Sequence, residues 1–152
     1  MSSPRHAAAA HVGAAHIESS HIEPSYIESA HVESAQSGAG PVVTKAVVRA
    51  ADRLRLTARI LATVIGVSEA TVSRMKRGEF RLEPGTKPFE LAVLLVRLFR
   101  SLDAIVGGDD DVAAAWLANP NTVLAARPIE KLQTVSGLVD VIAYLDARRA
   151  VV

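Results

Sequence analysis

The chain has 152 residues, of which 49% are apolar and 22% charged, with no cysteine and a formal net charge of +1. That composition excludes a disulfide-built scaffold, a transmembrane protein and a chain disordered from end to end. The near-zero charge is a cancellation, because residues 1–40 carry −3, residues 41–100 carry +7 and residues 101–152 carry −3. A basic middle between two acidic flanks points to a polyanionic partner.

The first thirty residues hold no apolar run that could serve as a signal-peptide core. The most apolar stretch, Leu91 to Phe99, is interrupted by Arg97 and is too short to span a bilayer. A soluble, cytoplasmic protein with no membrane partner is expected.

From Ala10 the sequence reads AHVGA, AHIES, SHIEP, SYIES, AHVES, so that His11, His16, His21, Tyr26 and His31 recur every fifth residue. Metal chelation fits this repeat poorly, since residues five apart share neither a helix face nor a strand face. A pentapeptide-repeat β-solenoid fits its pattern loosely, but so few pentads build little more than one coil. The composition favours a disordered, low-complexity extension over both. QSGAGP, at Gln36 to Pro41, then reads as a linker, closing a tail over residues 1–41.

Beyond residue 41 the periodicity is helical throughout, and the expected fold is all-α, a compact multi-helix domain. A first helix is predicted at about Lys45 to Leu56, then two short ones at Thr57 to Ile65 and Ser68 to Arg77. A helix from about Pro88 to Val106 is apolar nearly all round, with Glu90, Arg97, Ser101 and Ala104 as one narrow polar stripe, and belongs at the centre. A helix at Asp111 to Ala118 follows, then a short turn at Pro128 to Gln133 and a last helix from Val135 to the end. Asp109, Asp110 and Asp111 lack the alternating ligands and closing Glu of a calcium loop, and are read as helix-capping carboxylates. Residues 42–152 contain neither His nor Cys, which removes triad chemistry and the usual zinc sets. No enzyme, cofactor, metal or small-molecule substrate is therefore expected.

The window ARILATVIGVSEATVSRMKR, Ala58 to Arg77, places small Ala62 four before Gly66 and sets Ser68 as an N-cap two residues later. It resembles the helix-turn-helix of phage-repressor-like (Xre) regulators. The resemblance implies that Ser68 to Arg77 lies in the DNA major groove, with Ser68, Glu69, Thr71, Ser73 and Arg74 exposed. Thr71, Ser73 and Arg74 are the candidates for base contacts, Arg74 above all for a guanine edge. Thr57, Arg59, Lys76, Arg77 and Arg81 are candidates for phosphate contacts. On a plainer reading those charges are an ordinary solvated helix face.

The stretch from Ala113 to Ala147 carries Trp116-Leu117, Asn119-Pro120-Asn121, Leu124, Arg127-Pro128-Ile129, Leu132, and Gly137 followed by Val141 and Leu145. It resembles the antitoxin domain of the Xre/MbcA/ParS family, which carries a helix-turn-helix upstream in the same order. Ala125-Ala126 stands where the family pattern has a glycine-containing turn, so a more helical loop is expected there. In the last helix Leu138, Ile142 and Leu145 share one face, flanked by Val135, Val139 and Val141, and Arg149 continues that stripe. Either this end frays in water, or Tyr144, Arg148, Arg149, Val151 and Val152 project toward a partner.

The resemblance implies an antitoxin that covers the active site of a RES-domain, NAD⁺-destroying toxin with its carboxy-terminal region. It also implies a homodimer that binds operator DNA and represses its own operon. Residues 42–106 would form the DNA-binding part and residues 107–152 the toxin-binding part. The alternative is a stand-alone repressor whose carboxy-terminal half serves only for dimerisation.

Overall fold

A computed structural model describes residues 24–151, with side chains placed from residue 38 onward. Residues 1–23 of the tail expected to be disordered, with His6 and the repeat histidines His11, His16 and His21, lie outside the described residues, as does Val152. Seven helices follow one another among the described residues: α1 (Pro24–Arg53), α2 (Ala58–Ile65), α3 (Glu69–Lys76), α4 (Lys87–Val106), α5 (Asp110–Ala118), α6 (Pro128–Lys131) and α7 (Val135–Val151). The expected all-α architecture is observed, and none of these helices is long and apolar enough to cross a membrane.

Side-chain capping explains where most of these helices begin. The hydroxyls of Thr57, Ser68 and Thr86 each accept from the backbone N–H three residues on, at 3.2, 3.1 and 3.4 Å. Asp109 accepts from the N–H groups of both Asp111 and Val112, which satisfies two donors that α5 would otherwise leave free. Capping is thus the role found for Asp109, while Asp110 and Asp111 bind arginines.

The helix α4 is the spine of the molecule. Ala92, Leu95, Leu98 and Leu102 are fully buried along it, facing Val47, Ala51 and Leu54 of α1 and Leu138, Val141 and Leu145 of α7. Its contacts are most extensive with α7 and α1, then α2 and α5. Each such leucine contributes about 1.5–3 kcal/mol by leaving water. Glu90, Arg97 and Ala104 face outward as expected, but Ser101 does not. Its hydroxyl is buried and donates to Asp146 Oδ1 of α7 at 3.0 Å, and Arg97 Nη2 reaches Asp146 Oδ2 at 2.5 Å. A hydroxyl can enter a core where a partner awaits it, and an apolar-against-polar pattern does not reveal that partner.

Three further expectations require correction. The first helix begins well before Lys45, and the segment read as a linker lies within α1. Gly40 is buried so closely that a Cβ there would stand 2.6 Å from the Leu82 carbonyl oxygen. Thr44 Oγ1 donates to Gly40 O at 2.7 Å and accepts from Leu82 N at 2.8 Å, so the glycine serves close packing rather than freedom of the chain. The loop at Ala125-Ala126 is not helical: Ala125 takes a left-handed φ of 54°, and Asn121 bridges Ala126 across a turn. In α7, finally, Leu138, Val141, Ile142 and Leu145 are buried whereas Val135, Val139 and Arg149 are exposed, so the buried stripe ends at Leu145.

Arg53, at the end of α1, ties the two halves of the chain together. Its Nε donates to Asp110 Oδ1 and its Nη2 to Asp103 Oδ1, both at 2.9 Å, while its guanidinium lies 4.7 Å from the centre of the Phe99 ring. The hydrogen bond to Asp110, with the charges of both aspartates, holds the guanidinium above its ordinary pKa against a smaller opposing effect of burial. Arg55, also at a left-handed φ, pairs with Asp111 beside it.

Candidate functional site

The hairpin α2–α3 is built as its sequence suggests. Leu61, Ile65, Val72 and Met75 are buried between the two helices and the spine. Gly66 caps α2 at a φ of 74°, and its N–H returns to the Ala62 carbonyl, a conformation that a side chain would strain. The turn aims the first residues of α3 away from the core, leaving Ser68, Glu69 and Ala70 exposed.

On α3 the expected contact residues divide. Arg74, Lys76 and Arg77 are exposed and Ser73 is half-buried. Thr71 is not exposed as expected: only 8% of it is accessible, and its hydroxyl meets Ser68 Oγ at 3.0 Å and accepts from Arg74 Nη2 at 3.3 Å. Facing inward at the third turn position, it organises the capping residue and the arginine. Arg74 also lies over the Phe80 ring, 5.2 Å from its centre, so one side of the guanidinium is held and its remaining donors point outward. Lys76 is 3.7 Å from Asp52 of α1, and Arg77 Nη2 is 3.1 Å from Glu79. Thr57, Arg59 and Arg81 are exposed around this face.

A groove of about 400 Å³ separates the last turn of α3 from α1, with Met75, Lys76, Phe80 and Arg81 on one wall and Lys45, Val48, Arg49 and Asp52 on the other. Lys45 and Arg49 were not singled out by the sequence motif, which starts later. Their only trace there is the charge of residues 41–100.

The residues expected at the carboxy-terminal surface fall on two sides of α7. Tyr144 is half-buried and stacks on Trp116 of α5, with ring centres 6.0 Å apart and planes 18° from parallel, and Arg148 covers its ring at 5.6 Å. Arg149 instead lines a wider groove of about 920 Å³ between α1, α4 and α7, floored by Val42, Val93 and Val96 and edged by Arg97 and Arg100. Val151 is 88% exposed, so the helix ends as a projecting tip.

Two family models match the chain. Residues 35–97 match the antitoxin Xre-like helix-turn-helix domain, and residues 101–150 match the antitoxin Xre/MbcA/ParS carboxy-terminal toxin-binding domain. No curated protein gives a significant match. Both matches lie on the elements just described, in the order helix-turn-helix, spine, toxin-binding helices, and between them they run over nearly all of residues 35–150. The chain therefore belongs to the Xre/MbcA/ParS family of antitoxins, and it is an antitoxin of a toxin–antitoxin system.

Proposed function

We propose that the protein neutralises a RES-domain toxin, one that destroys NAD⁺, by covering the toxin's active-site cleft with the end of α7, and that it is not itself an enzyme. We further propose that it is a homodimer which binds operator DNA through α3 and represses its own operon. On this reading residues 42–106 carry the DNA surface and residues 107–152 the toxin surface. The observation that carries it is the join in one chain of a capped, outward-facing α3 to a toxin-binding half whose last helix projects at Val151.

The groups available suit both tasks. Arg74 offers paired donors of the kind that read a guanine edge, with Ser73 beside it. Thr57, Arg59, Lys76, Arg77 and Arg81 are the candidate phosphate ligands, and Ser68 caps the start of α3. At α7, Arg148 and Arg149 supply cations and Val151 supplies apolar surface, with Val152 following in the sequence, and Tyr144 supports Arg148 from below. A cytoplasmic location fits a partner that consumes NAD⁺.

The test is co-expression with the product of the neighbouring gene, scored by NAD⁺ level and survival. Deleting residues 148–152 spares Leu145 and Asp146, which belong to the core and its polar lock, and is expected to abolish protection. Full protection by that variant would refute the cleft-covering role. Arg74→Ala with Lys76→Ala is expected to weaken operator binding while leaving co-purification of the toxin intact, and unchanged affinity for the operator would refute the assignment of α3.

A further inference from the structure

We infer that α1 supplies a second, sequence-independent DNA-backbone surface, a phosphate track centred on Lys45 and Arg49 that prolongs the face of α3. The inference rests on the reading that α3 binds duplex DNA. It adds a ligand surface outside the two helices of the motif, on the helix that precedes them within the matched residues 35–97.

Lys45 and Arg49 are four residues apart on α1, on one face and displaced by about 6 Å along the axis. That displacement is close to the rise of two phosphates of one strand along the duplex axis, about 6.8 Å. Both are exposed, and neither forms an ion pair among the described residues. They stand on the ridge between two grooves. On one side they face Lys76 at the end of α3 and Arg81 in the segment after it, and on the other they face Arg100 of α4. Among the described residues the only carboxylate lining either groove is Asp52, which lies beside Lys76.

A row of cations with almost no counter-charge raises the local potential and costs folding free energy through self-repulsion, a cost that a bound polyanion removes. Since the last turn of α3 forms one wall, a duplex seated on α3 runs its backbone past the opposite wall, which is α1. An acidic protein segment fits less well. Lys45, Arg49, Lys76 and Arg81 edge the groove beside α3, whereas its apolar residues Val48, Met75 and Phe80 are buried or half-buried and offer little exposed surface to anchor a protein partner.

The experiment measures affinity of the full chain for a mixed-sequence duplex of about 30 base pairs, three helical turns, over about 50 to 200 mM salt. For Lys45→Ala with Arg49→Ala, the slope of log K against log salt is expected to become shallower by about 1 for each cation removed, with Arg49→Lys restoring its share. Helical content should stay at the unmodified value and the melting temperature should not fall, because both side chains are in solvent and their removal only relieves repulsion. An unchanged slope, with affinity still lost in Arg74→Ala, overturns the track and leaves the role of α3 standing. Failure of the unmodified chain to bind any duplex overturns both. An unchanged slope accompanied by loss of toxin co-purification assigns the ridge to an acidic protein segment and likewise overturns the proposal.

Discussion

Arg74 is held in position before any ligand arrives, by Thr71 on one side and Phe80 on the other. Replacing Phe80 with Ala should free the guanidinium and weaken specific DNA binding by about 0.5–1 kcal/mol, the worth of an exposed cation–π contact; competition between operator and mixed-sequence duplexes reads this directly. Thr44 carries a different load, closing the Gly40 carbonyl and the Leu82 N–H with one hydroxyl. Thr44→Val leaves the Leu82 N–H buried without a partner, while the Gly40 carbonyl keeps its helical bond, and should cost about 1–3 kcal/mol in denaturant unfolding. Ala125 holds a left-handed conformation that disfavours any Cβ, and Ala125→Gly should raise stability by about 0.5–1 kcal/mol, seen as a higher melting temperature. At this scale the caps at Ser68 and Asp109 were legible, because each acts on residues two or three places away. Thr71 was not, because its inward turn depends on where Ser68 and Arg74 settle around it.

Elements that are stabilised locally were foreseen with nearly the observed bounds: α2 and α3 through their caps and Gly66, and α4 through its length and apolar face. The start of α1 was missed since its glycines and proline speak for a break. What keeps that segment helical is a contact with Leu82, thirty-eight residues away from Thr44. The arginine clamp at the end of α1 was equally hidden, as Arg53 meets Asp103 and Asp110 only once α4 and α5 have packed. Arg53→Ala is expected to speed amide exchange throughout α5 while sparing α2 and α3, measured by hydrogen–deuterium exchange. The sign of the pH effect follows from the raised pKa of the guanidinium. Its stabilising contribution is complete below the unfolded-state pKa and lost only as pH climbs through the folded-state one, so a melt series between about pH 6 and 9 should show no loss attributable to it.

For the whole molecule, the sequence motifs divided the chain into a DNA-binding half and a toxin-binding half, and the family matches follow the same order. The fold does not respect the division. The first match stops at residue 97 and the second starts at residue 101, both inside α4, whose one side is occupied by α1 and α2 and whose other side is occupied by α7 and α5. Sequence patterns register such a helix as a boundary because the two halves place different residues around it, while the backbone passes through without a joint. The polar lock between Arg97, Ser101 and Asp146 sits across that boundary.

An unbroken spine determines what kind of exchange between relatives this architecture tolerates. A graft that joined the helix-turn-helix of one family member to the toxin-binding helices of another would cut through a single row of interlocking leucines, and would sever Asp146 from Ser101. Such chimeras should fold only when the seam is placed after residue 106 and the α7 residues facing α4 travel with the spine. Lineages in which DNA target and toxin partner were reassorted would therefore carry matched changes at residues 95, 98, 101, 102, 138, 142 and 146, however freely their surfaces diverged.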